Sequence, residues 1–156
     1  MSLEMIVCPS CLALNPIEKE DLCDHSKCGE CQTILLPDLP IDANATLFKH
    51  LKAHSTLPII IDFWGAYLGG SHEMSLVFNH LAHSFKGDAV FIKVDSEEEQ
   101  VLANEFNLSA IPTFILIKEG KEYHRLAGNQ IEANMHAWLA RYLRIKRKYK
   151  PSITSF

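Results

Sequence analysis

The stretch that most restricts the fold of this chain is the apolar run Ile59–Trp64, IIIDFW, which has a single carboxylate, Asp62, inside it. Such a run is typical of a central β-strand with both faces covered, as in the sheets of α/β proteins. A turn with three glycines follows, and apolar residues then recur at helical spacing over residues 74–85. The pattern predicts a buried strand that leads through a glycine-bearing turn into a helix.

The rest of the chain after residue 40 alternates strands and helices, which predicts an α/β domain. A brief edge strand at 41–42 precedes a helix over Ala45–His54, for which Asn44 is the expected cap. The remaining predicted elements are a buried strand at 89–95, a helix from a capping box at 96–99 to about 107, a hairpin of 113–117 and 123–126, and a last helix capped by Asn129 with Glu132.

The segment DFWGAYLGGSHEM resembles the active-site segment of thioredoxins, in which a similar strand end leads into Trp-Cys-Gly-Pro-Cys. On that pattern Tyr67 takes the position of the tryptophan, Leu68 that of the attacking cysteine and Ser71 that of the resolving cysteine. Both catalytic cysteines are therefore replaced. Thiol-disulfide exchange needs a thiolate that attacks and a second thiol that resolves the mixed disulfide, so the resemblance implies a thioredoxin domain without that chemistry.

Two further landmarks carry the same resemblance, which covers roughly residues 39–143. Ile111 and Pro112 resemble the cis-proline loop of the family, and Lys93 resembles the lysine beside the family's buried aspartate, matched here by Asp62. The implied fold is a central mixed sheet flanked by helices. Because no resolving cysteine remains, we expect Asp62 and Lys93 to be retained as a buried ion pair, with an altered pKa left open.

The strongest chemical signal lies near the N-terminus, where two CxxC pairs, Cys8 with Cys11 and Cys28 with Cys31, are separated by sixteen residues. This spacing is close to that of a four-cysteine zinc site and predicts structural zinc. Two disulfides are the alternative, disfavoured for a chain without a secretory signal. The arrangement is similar to that of the second, zinc-binding type of bacterial thioredoxin. Cys23 is expected to be a free thiol.

The predicted organisation is a zinc-ribbon-like segment at 1–36, a thioredoxin-like domain at 37–144 and a basic tail at 145–156. Residues 1–140 carry nine bases against nineteen acids, whereas the last sixteen residues carry six bases and no acid. We interpret the tail as a solvated helix end and do not expect nucleic acid as a partner, since no known nucleic-acid motif is present. No stretch reaches the length of a membrane span, and no signal peptide is seen, so a cytoplasmic location is expected.

The resemblance leaves one surface that does not depend on sulfur, because thioredoxins hold an extended substrate segment beside the cis-proline loop. Here that surface would consist of Trp64, Tyr67, Leu68, Ile111 and Pro112. The first hypothesis is therefore a redox-inactive polypeptide-binding or chaperone-like module with zinc as its cofactor and no small-molecule cofactor. The alternative is a thiol-disulfide oxidoreductase or redox sensor that works through Cys23 or the zinc cysteines.

Overall fold

The computed structural model describes residues 3–23, 25–65 and 71–143. Within these residues the chain forms a small two-stranded sheet and a larger five-stranded sheet. The small sheet pairs β1 (Leu3–Val7) with β2 (Leu14–Glu18) and is followed by a short 3-10 helix. The later elements are β3 (Ile41–Asp42), α1 (Ala45–His54), β4 (Ile59–Trp64), α2 (Ser71–Ser84), β5 (Val90–Asp95), α3 (Gln100–Glu105), β6 (Thr113–Lys118), β7 (Lys121–Ala127) and α4 (Glu132–Tyr142).

The large sheet has the strand order β3-β5-β4-β6-β7. Strands β3, β5 and β4 run parallel, while β6 is antiparallel to β4 and β7 is antiparallel to β6. Helices α1 and α3 pack on one face, and α2 and α4 pack on the other. The mixed sheet flanked by helices that the sequence predicted is thus confirmed, including the brief edge strand and the hairpin.

Strand β4 lies at the centre of this arrangement and explains the apolar run that defines the sequence. Successive side chains of a strand point to opposite faces. Accordingly Ile59, Ile61 and Phe63 belong to the core under α1 and α3, whereas Ile60 belongs to the core under α2 and α4. Because both faces are covered, almost every position of β4 has to be apolar, and Asp62 is buried on the same face as Ile60.

The N-terminal segment is joined to the first of these two cores. Its buried side chains, which pack with α1 and the sheet in a single apolar cluster, include Ile6, Val7, Leu22, Leu35 and Leu36. A segment of this length is too short to build a core of its own. The structure shows how it manages without one, because its apolar residues complete the core of the larger domain.

A buried carboxylate secures this junction. The hydroxyl of Thr56, in the loop between α1 and β4, donates a hydrogen bond to the Glu4 carboxylate and accepts one of 2.9 Å from the Met5 amide. Lys19 lies 3.8 Å from the other oxygen of Glu4. Glu4 is only 7% exposed, and a buried charge of this kind is tolerated where hydrogen bonds and a counter-charge surround it. Thr56 therefore connects β1 to the thioredoxin-like part of the chain.

The predicted capping box at residues 96–99 is wrong. The Glu99 carboxylate accepts a hydrogen bond of 3.1 Å from the backbone amide of Ala45, and the Ser96 hydroxyl donates one of 2.8 Å to the carbonyl of Trp64. Both side chains are used in tertiary contacts between elements, so α3 begins only at Gln100 and has no side-chain cap. A local pattern could not reveal partners that lie more than thirty residues away.

Of the caps predicted for α1 and α4, the first is confirmed and the second is wrong. Asn44 accepts a hydrogen bond of 2.8 Å from the amide of Leu47, so the predicted cap of α1 is confirmed. At α4 the cap position is Ile131, and no side chain caps the helix. Asn129 lies two residues too early for its short side chain to reach the first helical amides, and its predicted capping role is wrong.

Among the described residues, no helix has both the length and the apolar character needed to cross a membrane. The predicted basic tail at 145–156 lies outside the described residues.

We expect Thr56→Val to destabilise the protein by about 1–3 kcal/mol, because it leaves the buried Glu4 carboxylate and the Met5 amide without their shared partner. Valine keeps the shape of threonine but has no hydroxyl. The free energy of unfolding from urea titration measures the effect, with Thr46→Val on the exposed start of α1 as the matched control. Equal values for the two variants would contradict the role given to Thr56.

Candidate functional site

The two CxxC pairs form the same backbone turn twice. The carbonyl of Cys8 accepts a hydrogen bond of 3.0 Å from the amide of Leu12, and the carbonyl of Cys28 accepts one of 2.9 Å from Gln32. Leu12 and Gln32 both adopt the left-handed conformation, with φ of 69° and 67°. This conformation is costly for residues with side chains. Because it occurs at equivalent positions of both turns, the two turns have the same backbone conformation.

The turns bring four sulfur atoms together. Those of Cys8, Cys11, Cys28 and Cys31 all lie within 4.8 Å of one another. The short distances run between the turns: Cys8 to Cys31 and Cys11 to Cys28, both 3.6 Å. A tetrahedral ion with Zn–S bonds of about 2.3 Å would place its sulfurs about 3.8 Å apart, whereas a disulfide needs about 2.05 Å. The four cysteines are therefore positioned to hold a metal ion, and zinc fits them.

Backbone amides surround two of these sulfurs. The sulfur of Cys8 accepts N–H bonds from Ser10 and Cys11, and that of Cys28 accepts one from Glu30, at 3.3–3.4 Å. Amide donors stabilise the thiolate form that a metal requires. The backbone amide of Cys31, together with that of Glu30, lowers the pKa of the Cys28 thiol to about 6. The amides of the second turn thus favour the thiolate form of Cys28.

Cys23 does not belong to this group among the described residues. Its sulfur lies 3.8 Å from the hydroxyl of Ser26, and the side chain is half-buried. The four ligands predicted from the sequence are therefore the four that the structure brings together, and Cys23 is separate from them.

The second candidate region lies where β4 ends. In the register of β4 and β6, Phe63 faces Thr113, which places the half-buried Trp64 beside Pro112. The Ile111–Pro112 peptide bond is cis, as the resemblance implied. Three of the predicted peptide-binding residues are thus adjacent. The other two, Tyr67 and Leu68, lie outside the described residues, and Ser71 is the first residue of α2.

Asp62 is buried directly behind this region, with 1% of its surface exposed. One of its carboxylate oxygens, Oδ1, is enclosed without a hydrogen-bond partner among the described residues. Burial raises the pKa of this carboxyl to about 7, and the positive charge of Lys93 offsets only part of that effect. Asp62 thus titrates near neutrality because water is excluded from it.

The expected ion pair between Asp62 and Lys93 is not formed in the part of the chain that the structure describes. Lys93 instead donates a hydrogen bond of 2.9 Å to the hydroxyl of Ser75, and its ammonium group lies 5.2 Å from the centre of the Trp64 ring. Sequence reasoning missed Ser75. The available signal was its position four residues after Ser71, which places it on the same side of α2.

The two regions lie apart along β4. Thr56, which anchors the N-terminal segment, precedes this strand, and Trp64 ends it. A strand of six residues spans roughly 20 Å. No hydrogen bond or ion pair among the described residues joins the four cysteines to Asp62, Lys93 or the cis-proline loop.

Comparison with known proteins identifies the family. The family model described as Thioredoxin matches residues 39–141. The chain belongs to the thioredoxin family. One relative, Thioredoxin C-3 of Corynebacterium nephridii, is 34% identical over 139 residues and covers 89% of this chain and 95% of its own length. That alignment is longer than the segment 39–141, so the similarity extends beyond the thioredoxin domain.

Another relative shares less of the chain. Thioredoxin Y2 of Arabidopsis thaliana is 33% identical over 81 residues, which is 52% of this chain and about half, 48%, of that relative. Among solved structures, a mutant thioredoxin from Halobacterium salinarum NRC-1 matches 72% of this chain and 97% of its own with a TM-score of 0.64. At 23% sequence identity this match shows the fold alone. This chain differs from the active-site motif of its family at Leu68 and Ser71, which stand at the positions of the two cysteines.

We expect the purified protein to contain one zinc ion per chain, and we expect a chelator that removes it to lower the melting temperature. The physical reason is that the N-terminal segment completes the core under α1, so its loss of order exposes apolar surface. Metal analysis and thermal unfolding with and without the chelator measure both quantities. Cys8→Ser should reproduce the effect, whereas Cys23→Ser should leave zinc content and melting temperature unchanged.

Asp62 should make the protein less stable as pH rises from about 4 to about 7. In this window the carboxyl of the unfolded chain, with a pKa near 3.9, is ionised, while folding keeps that of Asp62 protonated. Stability is therefore fully present below pH 4 and lost towards pH 7, by on the order of 4 kcal/mol.

Asp62→Asn should accordingly flatten this pH dependence and raise stability at pH 8, with little change at pH 4. Urea unfolding at both pH values measures it. Asp42→Asn is the matched control, because Asp42 is exposed on β3 opposite the same Lys93. A parent protein equally stable at pH 4 and pH 8 would refute the raised pKa of Asp62.

Proposed function

We propose that this chain is a redox-inactive thioredoxin-like module that binds an extended segment of a partner polypeptide, with zinc as a structural element of its N-terminal segment. The observation that carries the proposal is the replacement of both active-site cysteines by Leu68 and Ser71. Leucine cannot attack a disulfide. The serine hydroxyl is un-ionised at neutral pH and cannot form a disulfide with a substrate.

No other cysteine is placed to substitute for them. All five cysteines of the chain occur before residue 32, and four of them are positioned to hold a metal ion. A catalytic dithiol would have to act beside Trp64 and the cis-proline loop to use the substrate surface of the family. The sequence between Trp64 and Pro112 contains no cysteine.

The retained surface supports binding. No described residue forms a hydrogen bond with the backbone N–H or C=O of Ile111, whereas the carbonyl of the next residue, Pro112, accepts a bond of 2.7 Å from Gly128. An extended peptide could use those two Ile111 groups as strands do, by main-chain pairing. Trp64 and Ile111 are half-buried and supply apolar contact area beside them. Leu68 would add an apolar side chain where the family has its nucleophile.

Reduced cysteines and a zinc centre both favour a reducing compartment, because free thiolates persist there. We therefore include a cytoplasmic location in the proposal. A chaperone-like role, in which the surface holds unfolded segments without covalent chemistry, follows from the same features. No small-molecule cofactor is required for it.

An insulin reduction assay on the zinc-loaded protein separates binding from catalysis. We expect no activity in the parent or in Cys23→Ser, and recovered activity in the double variant Leu68→Cys/Ser71→Cys, because Asp62, Trp64 and the cis-proline loop are retained. Activity in the parent that disappears with Cys23→Ser would overturn the proposal and place the chemistry in the N-terminal segment.

Peptide binding is tested directly with a reduced, carboxymethylated unfolded protein, which cannot react with thiols. We expect Ile111→Lys to weaken binding at least tenfold, since a charge replaces the apolar contact beside the pairing groups. Tryptophan fluorescence or calorimetry gives the affinity. Val101→Lys on α3, where the side chain is 76% exposed, is the matched control, and an equal loss in both variants would argue against a site at Ile111.

A second candidate function is a redox sensor, and the exposure of Cys11 and Cys31 favours it. Exposed metal thiolates can be oxidised by peroxide with release of the metal. This function predicts zinc release at low peroxide concentration, reversed by reductant. Zinc retention under those conditions would argue against the redox sensor and leave peptide binding as the remaining candidate function.

A further inference from the structure

Asn15 is not one of the four cysteine ligands, but its side chain contacts the second CxxC turn. It lies on β2, seven residues after Cys8, and is half-buried. Its side-chain oxygen accepts a hydrogen bond of 2.9 Å from the amide of Gly29, and its side-chain nitrogen donates to the sulfur of Cys28 at 3.6 Å and to the carbonyl of Ala13 at 3.2 Å. One side chain from the strand after the first CxxC turn therefore binds the second turn at a ligand sulfur and at the following amide.

The contact uses both ends of the amide. The side chain accepts from Gly29 and donates to Cys28 at the same time, through an acceptor and a donor that are bonded to the same carbon. Aspartate could only accept, and leucine could do neither. The residue in the same place after the second turn, seven positions beyond Cys28, is Leu35, which is buried in the apolar core. The bridge thus runs in one direction only, from the first turn to the second.

The second turn receives a further side-chain contact that the first lacks. The hydroxyl of Thr33 lies 3.1 Å from the sulfur of Cys31, whereas the equivalent residue of the first turn is Ala13. Side-chain groups thus contact both sulfurs of the second turn, in addition to the amide of Glu30 on Cys28. Hydrogen bonds of this kind disperse the negative charge that four thiolates place around a divalent ion.

We propose that Asn15 is a positioning residue of the metal centre, which fixes the second CxxC turn against the first through its bonds to Gly29 and to the sulfur of Cys28. The assignment depends on the metal centre and is independent of peptide binding at Ile111.

Competition against a chromophoric zinc chelator at equilibrium tests this in the full-length, zinc-loaded protein. We expect Asn15→Ala to weaken zinc binding about 10–100-fold. Asn15→Asp should weaken it further, since the carboxylate keeps the Gly29 contact but loses the donor to Cys28 and adds a negative charge beside the thiolates. Asn104→Ala, an exposed position on α3, is the matched control and should leave the affinity unchanged.

Cobalt substitution separates positioning from a general loss of stability. In the Co²⁺-loaded protein, Asn15→Ala should move the sulfur-to-metal charge-transfer band to longer wavelength, because a thiolate without its donor releases electron density more easily. The unfolding free energy of the metal-free protein should be the same for parent and Asn15→Ala. An unchanged zinc affinity with an unchanged Co²⁺ spectrum would overturn the assignment. It would also be overturned if Asn15→Ala lost as much stability in the metal-free protein as in the zinc-loaded protein.

Discussion

The burial of β4 on both faces is the constraint on which the rest of this structure depends. Two separate apolar cores meet at this strand, one under α1 and α3 and the other under α2 and α4. Every residue of the strand must therefore satisfy one of them, and Asp62 does so at a cost, because its carboxylate is placed where water cannot reach. The adjacent lysine does not remove that cost, since Lys93 is held by the hydroxyl of Ser75.

The N-terminal segment solves a different physical problem. It is too short to enclose a core, yet it contributes Ile6, Leu22 and Leu35 to the core of the larger domain. Two equivalent backbone turns and the Asn15 bridge preorganise four sulfurs, and a metal ion would convert that arrangement into folding free energy. Metal binding and the integrity of the core under α1 are thus linked through these shared apolar side chains.

The proposed function depends on two features of the chain. Trp64 lies beside the cis-proline loop, and the positions that the resemblance gives to the two reactive cysteines hold Leu68 and Ser71. A buried acid that titrates near pH 7 then has no thiol to exchange protons with. Under the proposed function, Asp62 carries this stability cost without serving thiol-disulfide exchange.

The fold and the metal ligands follow from the sequence alone, because both are written in local patterns: the doubly buried run of β4, the alternation of elements, and the spacing of the CxxC pairs. The cap at Asn44 was predictable for the same reason. The three-dimensional arrangement was needed to show that Glu99 bonds to Ala45 instead of capping its own helix, that Lys93 turns to Ser75, and that Asn15 bridges two turns. Each of those contacts joins residues that are more than ten positions apart. A polar side chain forms hydrogen bonds with the groups that lie near it in space. The linear sequence does not contain the distances between residues that are far apart along the chain.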